Sequence, residues 1–313
     1  MANLYKPEGM LIQTPENREY ISSLTGLERA MQQGKILEST ALMCDEELNL
    51  HIDLYGMQGI MPKNEVQKCG KGEEIKDIAI ITRVGKAVCF KVIGFERAPD
   101  GQLRAILSRR AAQNECTMNY ISSLICGDII PAKITHMEQF GAFVDIGCGI
   151  ISLLSVDCIS VSRISHPRDR FLIGEYIKVV IKSIDSASER IFVTHRELLG
   201  TWEENAVLFS PGQTVAGIVR SIESYGIFVE LTPNLAGLAE LRPGISPGQT
   251  AAVYIKNIIP ERMKIKLVII DTHKEELPIR PPKYFIDTTT TTHIDKWRYS
   301  PEYCDKIIMT EFV

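Results

Sequence analysis

GDIIPAKITHMEQFGAFVDIGCGIISLL, residues 127–154, returns in altered form as GQTVAGIVRSIESYGIFVELTPNLAGLAEL, residues 212–241. The two stretches align without a gap through fifteen residues after the opening glycine. Gly127 pairs with Gly212, Ile134 with Val219, Gly141 with Gly226, Phe143 with Phe228 and Val144 with Val229. A unit has been duplicated, and a fixed repeat has to be recognised before any other reading of a chain. A third, more diverged copy runs from Gly34 (GKILESTALMCDEELNLHIDLYGMQGIMP) and closes near Leu107–Ala111, LSRRA.

Inside each copy the dominant period is two, the period of strands. In the middle copy Ile130, Ala132 and Ile134 alternate with Lys133 and Thr135, and Ala142, Val144 and Ile146 alternate with Phe143 and Asp145. Ile151–Leu154, Ile177–Ile181 and Ile191–Val193 add three more runs, five short strands in about 70 residues. A five-stranded antiparallel unit of that size removes its edges most economically by curling into a Greek-key barrel of the oligonucleotide/oligosaccharide-binding (OB-fold) type. The expected fold class is all-β, three tandem barrels joined by short helices. Helical spacing is expected over Ala111–Cys126 and Leu198–Phe209, and a capped helix over Glu16–Gln33, marked by Thr14 and Pro15. The organisation expected is a helical segment 1–33, barrel 34–112, linker 113–126, barrel 127–199, linker 200–211, barrel 212–272 and tail 273–313.

The 313 residues carry 35 Lys and Arg against 39 Asp and Glu, a net charge of −4, which argues against coating DNA by charge alone. The longest apolar stretches, such as Leu267–Ile270, are far below the roughly 20 residues of a membrane-spanning helix, so no membrane role is expected. The eight cysteines form no C-x-x-C pair and no zinc ladder, which fits reduced thiols in a cytoplasm. No cofactor or metal motif, paired carboxylates or catalytic triad emerges, so an enzyme is not expected. Gly147-Cys148-Gly149 reads as a turn between strands, His166 before Pro167 as a connector residue, and Pro278–Pro281 as a linker before the exposed threonines 288–292.

The outward phase is more informative. Phe143 sits beside Asp145 and Phe228 beside Glu230, so both rings are expected to face solvent. Phe140 and Tyr225 lie three residues earlier on the opposite phase, and a bulge at Gly141 and Gly226 is expected to bring each pair to one side. Neighbouring rings on a barrel surface form a stacking platform for unpaired bases. The alternative is that they cover the open end of the barrel or pack on a neighbouring repeat. Lys133, Lys178 and Arg190 in the middle copy, and Lys256, Lys264 and Lys266 in the last, share the outward phase and suit a phosphate track.

FGAFVDIG from Phe140 and YGIFVEL from Tyr225 resemble the RNA-binding repeat of the bacterial ribosomal protein S-one family. The stretch from Ser162 resembles its connector and fourth strand, with Arg163, His166, Pro167, Gly174 and Asp185 in place, and Gly59–Pro62 with Leu107–Arg110 resembles the leading repeats. The resemblance covers roughly residues 34 to 272 and suggests a short three-repeat form.

In that family RNA is met by two aromatics, a histidine of the third strand, and an Asp and a basic residue flanking the last turn. The resemblance places these roles on Phe140, Phe143, Ser155, Asp185 and Arg190, and on Tyr225, Phe228, Glu240 and Lys264. Ser155 lacks the ring of the usual histidine, and Glu240 repels phosphate. Non-catalytic binding of single-stranded RNA or mRNA in translation is implied, with the first copy, which has no such ring pair, docking on the small ribosomal subunit or another protein. An adaptor whose barrels bind protein in transcription or RNA decay stays open as the alternative, supported by Ser155, Glu240 and the acidic balance; a nuclease has only family analogy.

Overall fold

A strand with one apolar face buries it, and a sheet that closes on itself leaves no edge to pair with another chain. The computed structural model describes residues 5–68, 75–98, 101–185, 190–274 and 281–312. Its strands close into three five-stranded barrels, the all-β architecture the alternation implied. The chain divides into two compact units, residues 1–124 with 145–151 and residues 125–144 with 152–313. Among the described residues no helix is long and apolar enough to cross a membrane.

The first unit opens with α1 (Pro15–Ile21) and α2 (Leu24–Gln33). The single helix expected over Glu16–Gln33 is thus two, because the Ser23 hydroxyl accepts from the Gly26 amide and starts a new helix. The first barrel consists of β1 (Leu37–Cys44), β2 (Leu50–Asp53), β3 (Gln58–Met61), β4 (Ala87–Arg97) and β5 (Leu103–Ser108), with α3 (Asp77–Ile81) before β4. Its order, β1-β2-β3-β5-β4, closes by pairing β4 with β1, and β3 with β5 is the parallel pair. Leu37, Leu50, Ile52, Phe90 and Leu107 fill it, with Ile21 and Leu27 in the same core. Ser108 then caps α4 (Arg109–Asn119), which stops at Tyr120 and gives way to a short 3-10 turn, earlier than the helix expected to Cys126. The Arg109 guanidinium is fully buried and held by Glu8, Nε to Oε1 at 2.6 Å. Buried charge is tolerated only in such pairs.

The second unit carries the repeated stretches apart from residues 145–151, which count with the first. The second barrel consists of β6 (Ile129–Glu138), β7 (Gly141–Asp145), β8 (Ile151–Ser155), β9 (Tyr176–Asp185) and β10 (Arg190–Thr194). Ala132, Ile134, Ala142, Val144, Val179, Ile181 and Val193 are all buried, the phase the alternation predicts. Asp145 departs from it, being buried on the polar phase, because its carboxylate accepts from the amides of Gly147 and Gly149 and shapes the turn there. A 3-10 turn and α5 (Trp202–Ala206), started by a Thr201–Glu204 capping box, replace the longer helix expected over Leu198–Phe209. The third barrel follows with β11 (Thr214–Glu223), β12 (Gly226–Thr232), β13 (Leu235–Ala239), β14 (Thr250–Ile259) and β15 (Lys264–His273).

The two barrels of this unit are joined by polar groups that have no counterpart in strand periodicity. The Asn234 amide donates to the Arg196 and Gly200 carbonyls, each at 2.8 Å, and its oxygen accepts from the Val161 amide at 3.0 Å. Glu230, on the polar phase of β12 yet buried, takes Arg220 in a two-point contact at 2.8 and 3.2 Å and also Arg170 from the connector of the second barrel. The tail adds β16 (Lys296–Arg298) paired with β17 (Met309–Glu311). Trp297 and Tyr299 join Trp202 in the core of the third barrel, while Tyr284, Ile286, Ile294 and Phe312 cover Ile129 and Val180. Residues 278–280 of the Pro278–Pro281 stretch lie outside the described residues.

Candidate nucleic-acid interface

The ring pairs are set by two hairpins. Gln139–Phe140 and Ser224–Tyr225 form the two-residue turns between β6 and β7 and between β11 and β12. Phe140 and Tyr225 therefore stand on turns and escape strand phase, and no bulge at the following glycine is needed to bring them beside Phe143 and Phe228. In the third barrel the ladder runs regularly through Gly226, opposite Glu223, and the register shift lies in β11 between Val219 and Ser221. The glycines serve another purpose. A Cβ on Gly141 would come 2.5 Å from the Leu154 carbonyl oxygen, and one on Gly226 would come 2.6 Å from that of Ala239. Only glycine lets the neighbouring strand approach so closely beneath the rings.

The outcome is the same in both barrels. Phe140 and Phe143 meet edge to face with centroids 6.0 Å apart at 90°, and Tyr225 and Phe228 do so at 6.1 Å and 89°. Phe140 is 56 % and Tyr225 66 % exposed, while Phe143 and Phe228 are partly buried at their bases. Such a pair leaves ring faces open to solvent while its own contact holds the geometry.

Around the second-barrel pair the sequence-predicted residues divide. Asp185 and Arg190 are exposed and face each other across the β9–β10 ladder, at the mouth of the last hairpin. Ser155 ends β8, and its hydroxyl donates to Asp157, whose carboxyl is held below its ordinary range chiefly by that bond. An anion thus stands two residues from the position where the family has a histidine. Lys133 lies over the ring of Tyr176 at 5.2 Å, and the Lys178 amide donates to the Tyr284 hydroxyl of the tail at 2.8 Å. The Lys133 ammonium is thus engaged with Tyr176, while the Lys178 contact is made by its backbone amide.

In the third barrel Glu240 is exposed just after β13, and Lys264 is exposed at the start of β15 opposite Ile259. Lys256 is exposed at a register shift between Ile255 and Asn257. Lys266 is better placed for the rings. Phe228 pairs with Leu238, and Leu238 with Lys266, so one outward row crosses three strands from ring to ammonium.

Two residues of the second barrel escaped sequence reasoning. His136 is exposed at the end of β6, its ring nearly parallel to Phe143 (centroids 6.1 Å, 24°) and its Nε2 2.7 Å from Glu138 Oε1. Phe192 lies opposite Leu153 on the outward side of β10. Its place on the polar phase was a signal, since an aromatic there needs a reason. His195 is different in kind, fully buried between Phe171 and Tyr284, with burial pushing its imidazole down to about 4. In the first barrel the β1–β2 turn carries Glu46 and Glu47 where the other two present a ring. Among the described residues no cluster of His, Cys, Asp and Glu is arranged to hold a metal ion.

Residues 124–196, which contain the second barrel, match the S1 RNA binding domain. The small ribosomal subunit protein bS1 of Staphylococcus aureus is 31 % identical over 237 residues, 71 % of this chain and 58 % of that protein. The bS1 protein of Staphylococcus saprophyticus is 32 % identical over 208 residues, covering 61 % of this chain and 52 % of its own length. Among solved structures, a multidomain protein with nucleic acid binding domains from Streptococcus pneumoniae is similar over 76 % of this chain and 73 % of its own, at 15 % identity and a TM-score of 0.25. The chain thus spans a little over half the length of the ribosomal relatives it matches. With three closed barrels, an S1 RNA binding domain in the second and sequence relatives that are bS1 proteins, the chain belongs to the S1-repeat family of ribosomal protein bS1.

Proposed function

We propose that this protein binds single-stranded RNA through its second and third barrels and acts in translation without catalysing a reaction. The observation that carries this is the edge-to-face ring pair presented at equivalent positions in two barrels. Unpaired bases stack on such rings whatever their identity, so an mRNA of any sequence is a suitable ligand. Asp185 and Arg190 border the second platform, and Lys256, Lys264 and Lys266 supply backbone contacts beside the third. Two modest sites on one unit raise each other's effective concentration when one strand spans both. The first barrel, with Glu46 and Glu47 at its corresponding turn, is assigned to a protein contact. The relatives are small ribosomal subunit proteins, which makes that subunit the partner to test.

Phe143→Ala with Phe228→Ala removes one ring from each platform. At roughly 1 to 3 kcal/mol per stacked base, affinity for a labelled single-stranded RNA is expected to fall at least about thirtyfold in a titration by fluorescence anisotropy. Unchanged affinity in the folded double variant overturns the proposal.

A further inference from the structure

The third barrel gives the full outward row: Ser221 pairs with Phe228, Phe228 with Leu238, and Leu238 with Lys266. Carrying the register of the repeat on to the third strand puts His136, Phe143 and Leu153 at the first three of these places in the second barrel. The backbone agrees, since Gly141 approaches Leu153 and Leu154 as Gly226 approaches Leu238 and Ala239. Leu153 then pairs with Phe192, in the place Lys266 holds. One row therefore reads Ser, Phe, Leu, Lys in the third barrel and His, Phe, Leu, Phe in the second.

We infer that His136 and Phe192 are additional base-stacking residues, so that the second barrel engages a longer run of unpaired bases than the third. This rests on the RNA-binding reading above. The His136 ring is nearly parallel to Phe143, on the neighbouring strand. Phe192 lies two strand spacings beyond Phe143, about 10 Å, within the reach of the next nucleotides of an extended strand. Glu138 accepts from His136 Nε2 and fixes the ring orientation, leaving its other nitrogen for the edge of a base. Neither residue adds a fixed positive charge, so the gain is by stacking and is weakly dependent on salt.

The test uses the full chain with Tyr225→Ala and Phe228→Ala, so that binding reports the second barrel, and a single-stranded oligonucleotide containing 2-aminopurine. His136→Ala and Phe192→Ala are each expected to weaken binding about tenfold and to reduce quenching of the base analogue. His136→Tyr and Phe192→Tyr should restore both, which a purely structural role would not require. The reciprocal exchange, Ser221→His with Lys266→Phe in a chain carrying Phe140→Ala and Phe143→Ala, should tighten binding by the third barrel and flatten its salt response. Should Phe192→Ala fail to fold, this exchange and the His136 pair decide the matter. If both alanine variants bind as their parent does while Phe143→Ala in the same background still weakens binding, the extended row is wrong and the RNA reading stands. If Phe143→Ala is also silent, the RNA reading itself fails.

Discussion

The second and third barrels share a repeat, a hairpin turn bearing a ring and a glycine over which the next strand closes, yet they surround those features with different chemistry. Beside its ring pair the second barrel has His136 and Phe192, while the third has Ser221 and Lys266. The corresponding third-strand positions carry Ser155, bonded to Asp157, and Glu240. The backbone of the repeat therefore fixes the ring pair in both barrels. The positions that differ lie in the same row, one strand before the ring and two strands beyond it.

The largest expected effect concerns what couples the two barrels. Glu230 is buried and shared by Arg220 of its own barrel and Arg170 of the other. Burial lowers the Arg170 pKa, and the carboxylate opposes that shift. Removing one partner of a buried ionic cluster leaves an uncompensated charge and costs about 3 to 5 kcal/mol. Glu230→Ala should therefore lower the melting temperature of the second unit by about 10 °C in calorimetry. A change of only one or two degrees would mean that the barrels differ as independent modules and share no stabilising cluster.

A smaller effect separates the barrels by pH. His195 belongs to the second barrel, and burial lowers its pKa from 6.5 to about 4. Among the described residues the third barrel buries no histidine. In this window the unfolded chain binds the proton and the folded one does not, so stability is intact above about pH 6.5 and is lost as pH falls towards 4. The loss is on the order of 3 kcal/mol. Denaturant melts at a series of pH values should show this slope in the wild type and lose it in His195→Gln. An unaltered slope in the variant would place the acid sensitivity in another group.

What the sequence disclosed follows the period of two. Inward residues of β6, β9 and β14, the repeated glycines and the ring pairs were all legible, because each alternates locally or recurs. Asp145 and Glu230 were not, since both sit on the outward phase and are buried through partners that periodicity does not encode, backbone amides in one case and arginines in the other. The rings were expected on one side through a bulge that the hairpin turns make unnecessary. Lys133 shares the outward phase with Arg190, but outward is not one direction on a closed barrel, and the Lys133 ammonium lies over Tyr176. The packing of Trp297 and Tyr299 beside Trp202 needed the fold, because it joins residues nearly 100 positions apart.

The smallest expected effect tests stacking against charge directly. With only the second platform intact, in Tyr225→Ala with Phe228→Ala, the row through Phe143 ends in Phe192 where the third barrel has a lysine, and the Lys133 ammonium is engaged with Tyr176. With only the third intact, in Phe140→Ala with Phe143→Ala, Lys256, Lys264 and Lys266 are all exposed, and Lys266 shares the row of Phe228. Each phosphate contact adds roughly 0.7 to the slope of log K against log salt for single strands. The third barrel should therefore show the steeper slope, by about one unit, and Lys266→Ala should remove about 0.7 of it in a titration from low to physiological salt. Equal slopes would mean that the row positions do not reach the backbone, leaving the shared ring pair as the whole of the site in both barrels.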